Sequence, residues 1–539
     1  MRARTVQCLA LACALTFALP AFQSTAEQTQ FNEARQLLTG ADKDPDKARQ
    51  LLVYLVSTPN PGLDPDARTY ALVYLGYIED RAGNRDAALT WFRKAAATEG
   101  ATPGILAVAN AGLKQPVLYI RHLDSHEPSP GAQLAKSLSP EARRENFEAL
   151  WKAIDTSYAM FELKSIDWDE TGRVYRQRLD AVANDDDFYL LLYRLVNELK
   201  DTHSAPQNYT PPRMAGVPEL PVELVAGKPF IVAGPKAGWE VISVDGMGPA
   251  KKMEALRPFL AARSSDRAYQ REAAKSLFSG AAGTRVKVEL HTPDGRSETG
   301  TYERRFGQTG QRPPRSTGIV LTRGKFVNYG RHPSGLGYIQ IVSFNGRGEI
   351  DDEFNHALEA LRDTPGLLLD IRDNPGGFGH SQIVGRFLSK RAETAISYVK
   401  SGPRHRDLER RPGHVEPAGP WQYKAPVALL VNADTGSASD LFACELRSAR
   451  RVTTVGTTTH GNLSGVGTYA TLPCGLTVRI SNGYVCDVKN RPVEVTGNVP
   501  DVVVEPAILD VLNGRDPVLQ RAVDVLEGII GKAGKPPLG

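Results

Sequence analysis

A chain of 539 residues is too long for one ordinary core, so three or four domains are expected. With 41% hydrophobic and 23% charged residues, the composition is that of a folded soluble protein. The 65 basic and 61 acidic residues leave a net charge of +4 with no dense Lys/Arg run, which gives no reason to expect a nucleic-acid partner.

The chain opens M-R-A-R, continues with an apolar run from Val6 to Phe22 and turns polar at Q-S-T-A-E-Q-T-Q. That order predicts a signal peptide over 1–26, cleaved after Ala21 or Ala26, and hence a periplasmic or secreted protein. An uncleaved membrane anchor is the competing reading. No later stretch reaches the ~20 apolar residues of a membrane span, so no stable membrane insertion is expected after signal removal. Cys8 and Cys13 fall within the signal, leaving Cys444, Cys474 and Cys486. Cys474 and Cys486 are the natural disulfide pair in an oxidising compartment, although a hairpin turning at Asn482–Gly483 would not set them opposite each other.

Residues 27–115 read as all helix. Leu75, Gly76, Ala88, Phe92 and Ala95 stand where a tetratricopeptide repeat places its packing residues, and the segment resembles one such repeat. It is either a groove for a protein partner or a helical cap on the next domain. Residues 116–138, with S-H-E-P-S-P-G at the centre, form a linker. A helical bundle follows over 139–207. Its first helix opens at Ser139–Pro140 and carries Phe147, Leu150, Trp151, Ile154 and Tyr158 on one stripe. The others are expected over 170–182 and 187–199. The last stops at K-D-T-H-S-A-P, where Asp201 is expected to cap a helix or turn. Over 210–313 short β-branched runs broken by Gly and Pro, with a helix near 267–277, describe a small β-rich domain that resembles a PDZ module.

From Gly335 strands and helices alternate, which argues for an α/β core over 314–512; a C-terminal helix and tail occupy 513–539. L-G-Y-I-Q-I, L-L-L-D-I, V-A-L-L-V and R-V-T-T-V are the strands, and the apolar L-L-L-D-I is expected to be buried on both faces. A β-ribbon is expected over 468–488. The loops D-I-R-D-N-P-G-G and N-A-D-T-G-S-A-S both leave the carboxyl ends of strands, where ligands gather in such sheets. The overall class is therefore multidomain α+β.

The second loop offers two serines, Ser437 and Ser439. A serine nucleophile needs a base and N–H donors for the oxyanion. Ser437 stands just before a helix, so the Ala438 N–H points at a developing negative charge. Gly376 or Gly377 can bring a second N–H close to a substrate. Read alone, G-S-A-S-D is more readily a capped helix start. Asp370 and Asp373 have no Cys/His ligand spacing beside them, so no metal is expected, and no cofactor loop is present.

In order along the chain stand G-L-G-Y-I-Q-I, L-L-L-D-I-R-D-N-P-G-G, N-A-D-T-G-S-A-S-D-L-F-A, V-G-T-T-T-H-G-N and E-V-T-G-N-V-P-D. Over about residues 140–510 this series resembles the carboxy-terminal processing protease and tricorn-core family of serine peptidases. The resemblance implies a core of crotonase-like or ClpP-like fold, a peptide or protein substrate, and Ser437 as nucleophile. The processing-protease branch uses a lysine 25 residues after the serine, where this chain has Asn462. The tricorn-like branch instead takes a histidine from an L-x-D-x-H-S/T stretch, which here is Leu199 to Ser204. It implies His203 as base, with Glu494 orienting it through Thr202, where that branch has serine. His460 and His380 are the rival bases. An exported endopeptidase or carboxy-terminal processing peptidase follows, and a non-catalytic peptide- or lipophile-binding protein on the same fold is the alternative.

Overall fold

The computed structural model describes residues 26–39, 44–57, 64–101, 103–114, 116–117, 133–211, 216–306, 314–346, 348–378, 380–465 and 467–533. The expected signal peptide, the centre of the expected linker and the end of the expected tail lie outside the described residues.

Helices Ala26–Thr39, Pro45–Ser57, Pro65–Arg81, Arg85–Ala96 and Pro103–Lys114 pack successively around one apolar cluster. Its centre is the Phe92 ring. A Cβ at either Gly76 or Gly112 would come within 2.6 Å of that ring, so glycine is what lets the three helices approach.

The next helices are Pro140–Ser157, Trp168–Leu179 and Asp185–Asn197. Ser139, Asp167 and Asn184 cap them, each accepting a hydrogen bond from an N–H of the first turn. Both later helices begin two residues before the sequence expectation, because each cap precedes the apolar stripe. Their core extends into a distant segment. Leu472, Leu476, Val478 and Ile480 pack against Phe147, Leu150 and Leu195. The N–H of Cys474 reaches the Asn146 side chain, and Ala159 donates to the Ser481 carbonyl. The bundle is thereby fixed to the region expected to hold the site.

An antiparallel five-stranded sheet runs in the order Val222–Val225, Lys228–Ile231, Glu240–Val244, Arg285–His291, Ser297–Glu303. Helices Pro249–Leu256 and Asp266–Lys275 connect its third and fourth strands.

The largest sheet has seven strands, in the order Val502–Val503, Thr453–Gly456, Val427–Val431, Leu367–Asp370, Gly337–Ile341, Val327–Arg331, Thr322–Arg323. The first five are parallel and the last two join antiparallel. The continuous apolar runs have a simple cause. Ile339, Leu367, Leu369, Leu429 and Val431 face helices Glu349–Ala360 and Ala438–Ser448. Tyr338, Leu368, Ala428, Leu430 and Val455 face the other way, onto helix Pro517–Ala533. Both faces are buried, so no residue of Leu367–Asp370 or Val427–Val431 needs to be polar for solvent.

The expected β-ribbon divides between two sheets. Thr468–Thr471 and Thr477–Ile480 pair with each other, and the latter also pairs with Ala205–Pro206. Gly483–Cys486 instead pairs with Ala392–Lys400, which pairs in turn with Leu408–Val415. That hairpin went unread because Pro412 and Gly413 interrupt its outer strand, which an edge strand tolerates. Cys474 thus sits in a turn of one sheet and Cys486 in a strand of another. All three described cysteines are buried and free.

Beneath the main sheet Arg372 binds Asp370 through Nε (2.9 Å) and Nη2 (2.6 Å), and Asp516 through both terminal nitrogens (2.7 Å each). Tyr338 adds a hydrogen bond to Asp370 at 2.8 Å. This buried trio ties the C-terminal helix to the central strand. Arg372→Ala would leave two carboxylates buried without a counter-charge, so a loss of about 3–5 kcal/mol is expected. A urea midpoint lowered at unchanged m-value is the measurement that checks it.

Candidate active site

Three loops leave the carboxyl ends of neighbouring parallel strands: 371–378 after Leu367–Asp370, 432–437 after Val427–Val431, and 457–464 after Thr453–Gly456. Asn374 knots the first two together. Its amide donates to the Ile341 carbonyl (3.0 Å), its side-chain oxygen accepts the Gly376 N–H (2.9 Å), and its carbonyl accepts the Gly436 N–H (3.1 Å). The Thr435 hydroxyl adds a bond to the Ile371 carbonyl at 3.0 Å.

Ser437 stands at the head of helix Ala438–Ser448 with φ 55° and ψ −120°. Its N–H donates to Asn462 Oδ1 at 2.7 Å, while its half-buried hydroxyl makes no hydrogen bond with a described residue. Ser439 differs: it is fully buried, and its hydroxyl has no partner inside the helix packing. Of the two serines only Ser437 is placed to meet a substrate. Gly376 presses against it, since a Cβ there would lie 2.7 Å from the Ser437 Cβ and 2.8 Å from the Ala438 nitrogen. The N–H groups of Ala438 and Gly377 donate to no described residue, whereas that of Gly376 is used by Asn374. Among the described residues the Ala438 and Gly377 amides are therefore without an acceptor, while the Gly376 amide is held by Asn374.

His203 follows the last bundle helix and stands two residues before the strand Ala205–Pro206. Arg479, on the partner strand, donates to its carbonyl. The ring is half-buried, and Nδ1 lies 2.9 Å from the Ser464 hydroxyl. Ser464 in turn donates to Asp201 Oδ1 at 2.9 Å. Asp201 is fully buried and also accepts from the Ser204 hydroxyl and the His203 N–H. It does cap a turn, but it does more than that.

Glu494 is fully buried beside this group, with Oε1 held by Lys164 Nζ at 2.7 Å and Oε2 without a hydrogen bond. Lys164 also donates to the Lys200 carbonyl at 2.7 Å. The Thr202 hydroxyl accepts the Ser264 N–H at 3.0 Å and lies 3.2 Å from the Ser264 hydroxyl. Among the described residues no hydrogen bond runs from Glu494 through Thr202 to the ring.

Burial pushes the Glu494 carboxyl up to about 7, with the Lys164 ammonium opposing it. Burial would raise Asp201 too, but Lys164, His203 and the hydroxyls around it hold it below the usual carboxylate value. His203 is held below the usual histidine value by burial, then by Arg479 and Lys164, against Asp201. Burial and then Arg263 push His460 down to about 4. Its Nδ1 is buried without a partner, and its backbone N–H is on Thr435. His380 is committed to Glu445 at 2.9 Å and packed against Phe344 and Phe442. The Nδ1 atoms of both rival bases are buried, and Nε2 of His380 is taken by Glu445.

The 457–464 loop is what joins the two halves. Asn462 holds the Ser437 N–H, Ser464 holds the His203 ring, and Asp440 accepts the Gly461 and Asn462 N–H groups. His203 and Ser437 share no direct hydrogen bond. The Glu494 turn is attached to the same loop, Val495 donating to the Gly461 carbonyl at 2.8 Å. Sequence reasoning missed Lys164 and Ser464 altogether. Neither lies in a recognisable motif, and only the fold brings them to residues some 300 positions away, as the Lys164–Glu494 separation of 330 shows. In sequence, Asn462 stands out only as the position where the processing-protease branch has lysine.

Residues 335–504 match peptidase family S41, and residues 139–197 match the tricorn protease C1 domain. The chain is 25% identical over 284 residues to the chloroplastic C-terminal processing peptidase of Tetradesmus obliquus, covering 52% of this chain and 56% of that protein. It is 31% identical over 206 residues to the tricorn protease of Thermoplasma volcanium, covering 38% of this chain and 18% of that one. The chain thus spans less than two thirds of these curated relatives. In fold it is similar to mature CPAF, with a TM-score of 0.62 at 15% identity over 73% of this chain and 99% of that one. The chain carries a peptidase family S41 domain over residues 335–504, preceded over 139–197 by a tricorn protease C1 domain.

Proposed function

We propose that this protein is an exported serine peptidase that hydrolyses peptide bonds in a peptide or protein substrate. The observation that carries this reading is a reachable hydroxyl at Ser437, on a strained turn, joined to His203 by the single loop 457–464. His203 accepts the Ser437 proton as Oγ attacks the scissile carbonyl. The Ala438 and Gly377 amides hold the oxyanion, in the way that backbone donors at a helix head stabilise such charge. The imidazolium returns its proton to the leaving amine, and water then hydrolyses the acyl-enzyme by the same base. A direct hydrogen bond between base and nucleophile is not required before substrate binds, because such contacts tighten on binding. Glu494 pairs with Lys164, one of the groups that act on His203. The signal-like N-terminus supports a periplasmic or secreted location. The PDZ-like insert and the tetratricopeptide-like helices supply surfaces for substrate chain or a protein partner.

A fluorophosphonate probe tests the reading. It is expected to label Ser437, with Ser437→Ala abolishing labelling and His203→Ala slowing it by roughly 10²-fold or more. Labelling that is unaffected by His203→Ala, or a stable unlabelled protein that retains a ligand, would favour the binding-protein alternative.

The pH dependence has a definite sign. The base works when neutral, and His203 is held below its usual value of about 6.5. The labelling rate therefore rises with pH through a midpoint below 6.5 and is largely retained at pH 6.5, which a pH–rate profile measures.

Gly376→Ala places a Cβ 2.7 Å from the Ser437 Cβ, at a φ of 106°. Labelling is expected to fall about 10-fold or more as the turn shifts by one to a few kcal/mol of strain. Near-UV circular dichroism should remain native.

A further inference from the structure

Two buried carboxylates lie near His203, and only one of them is connected to its ring. We propose that Asp201, acting through the Ser464 hydroxyl, is the residue pair that positions His203 and selects its tautomer. The inference rests on the reading of His203 as base and adds to it two positioning residues outside the Ser-His-Glu set.

The argument is a count of hydrogens. Asp201, as a carboxylate, only accepts. It accepts from the Ser204 hydroxyl, the His203 N–H and the Ser464 hydroxyl. Ser464 has a single proton, and Asp201 takes it. The Ser464 oxygen must then act as acceptor toward the imidazole nitrogen 2.9 Å away, so that nitrogen, Nδ1, carries the ring hydrogen. The Ser481 hydroxyl also donates to Ser464 at 3.3 Å, which fills its remaining acceptor site. With Nδ1 protonated, the Nε2 lone pair is left to receive the Ser437 proton. This is the tautomer a general base requires.

Glu494 makes no such connection. Oε1 is occupied by Lys164, Oε2 has no hydrogen bond, and the Thr202 hydroxyl that would relay it is turned to Ser264. The charged groups that act on the imidazole are Asp201, Arg479 and Lys164, with His460 sensing it from the neighbouring loop. Of these, Asp201 alone favours the imidazolium. Asp201 also sits in the turn that precedes the ring, so the same side chain fixes the backbone and, through Ser464, the far ring edge.

The test compares fluorophosphonate labelling of Ser437 across pH for the full chain and for Ser464→Ala, Ser464→Thr, Asp201→Asn and the double variant Ser464→Ala/Asp201→Asn. Ser464→Ala is expected to slow labelling roughly 10²-fold at neutral pH. It also moves the acid limb to lower pH, because the imidazolium loses its link to the anion. Ser464→Thr, which keeps the hydroxyl, restores the rate to within about 5-fold, a recovery that a purely structural role would not give. The double variant falls no further than the worse single one, as expected of residues that act as a unit. Asp201 is buried in several hydrogen bonds, so its variant can fail to fold; the Ser464 pair carries the test in that event. The proposal is overturned if Ser464→Ala keeps the wild-type rate and acid limb while His203→Ala abolishes labelling. It is equally overturned if Glu494→Gln, and not Ser464→Ala, moves the acid limb. If His203→Ala itself labels normally, the base assignment fails first.

Discussion

One ammonium group, Lys164, makes the chemistry beneath His203 sustainable. Its side chain is 3% exposed and lies between the Lys200 carbonyl and Glu494, with Asp201 within its field. Two carboxylates and an imidazole share this buried volume. Both carboxylates ionised without a counter-charge would be strongly unfavourable. With Lys164 present the two separate in behaviour. Asp201 has hydroxyl and N–H donors as well as the ammonium, and its charged form is favoured. Glu494 has the ammonium and a weaker contribution from Ser264, with Oε2 making no hydrogen bond, and burial prevails. Environments that push two acidic groups apart in this way assign them different work. A fixed negative charge at Asp201 is the one that a transient imidazolium can use.

Around that cluster the loops are braced from two directions. From the sheet side, Asn374, Thr435 and Asp440 tie the three strand-end loops to one another. From the insert side, helix Asp266–Lys275 reaches the same loops. Arg271 pairs with Asp434, Arg267 donates to the Thr459 carbonyl, and Ser265 donates to the His460 carbonyl. Asp434 stands three residues before Ser437, so the turn that bears the hydroxyl is held at its base by a group from outside the α/β core. Reorganisation of such a turn during reaction is costly, and holding it in advance removes that cost from the barrier.

The central strands and the nucleophile turn were legible because local pattern determines them. Leu367–Asp370 and Val427–Val431 are apolar throughout since helices cover both faces. Gly436–Ser437 before a helix is a local signal of the same kind. Asp201 and His203 were legible as neighbours in a short motif. What joined them was not. Ser464 lies 261 residues from His203, and Lys164 lies 330 from Glu494. No periodicity or spacing encodes a contact between a bundle turn and a loop at the far end of a sheet. The Gly483–Cys486 strand was placed in the wrong partnership for a related reason. Its alternation states that it is a strand, but the choice of neighbour depends on the Ala392–Lys400 hairpin, whose outer strand carries a proline.

Backbone strain marks the site more sharply than any motif does. Several non-glycine residues have positive φ, and at turns such as Lys200 or Asp245 the left-handed region is a modest expense. Ser437 is different. Its φ of 55° with ψ of −120° lies outside the left-handed helical well, in a region where glycine is the residue of least cost. Val495, a β-branched residue next to Glu494, has φ 73°. Each such residue costs of order 1–3 kcal/mol. Glycine at 437 would relieve that strain and would delete the one reachable hydroxyl of the turn. Glycine at 495 would relieve the other and free the backbone that turns Glu494 inward. The chain keeps serine and valine at both, held by Asn462 on one side and by Gly461 on the other, and both of these contacts belong to the loop that also carries Ser464. The strained Ser437 turn, the strained Val495 turn and the Ser464 contact to His203 therefore depend on a single four-residue span, 461–464.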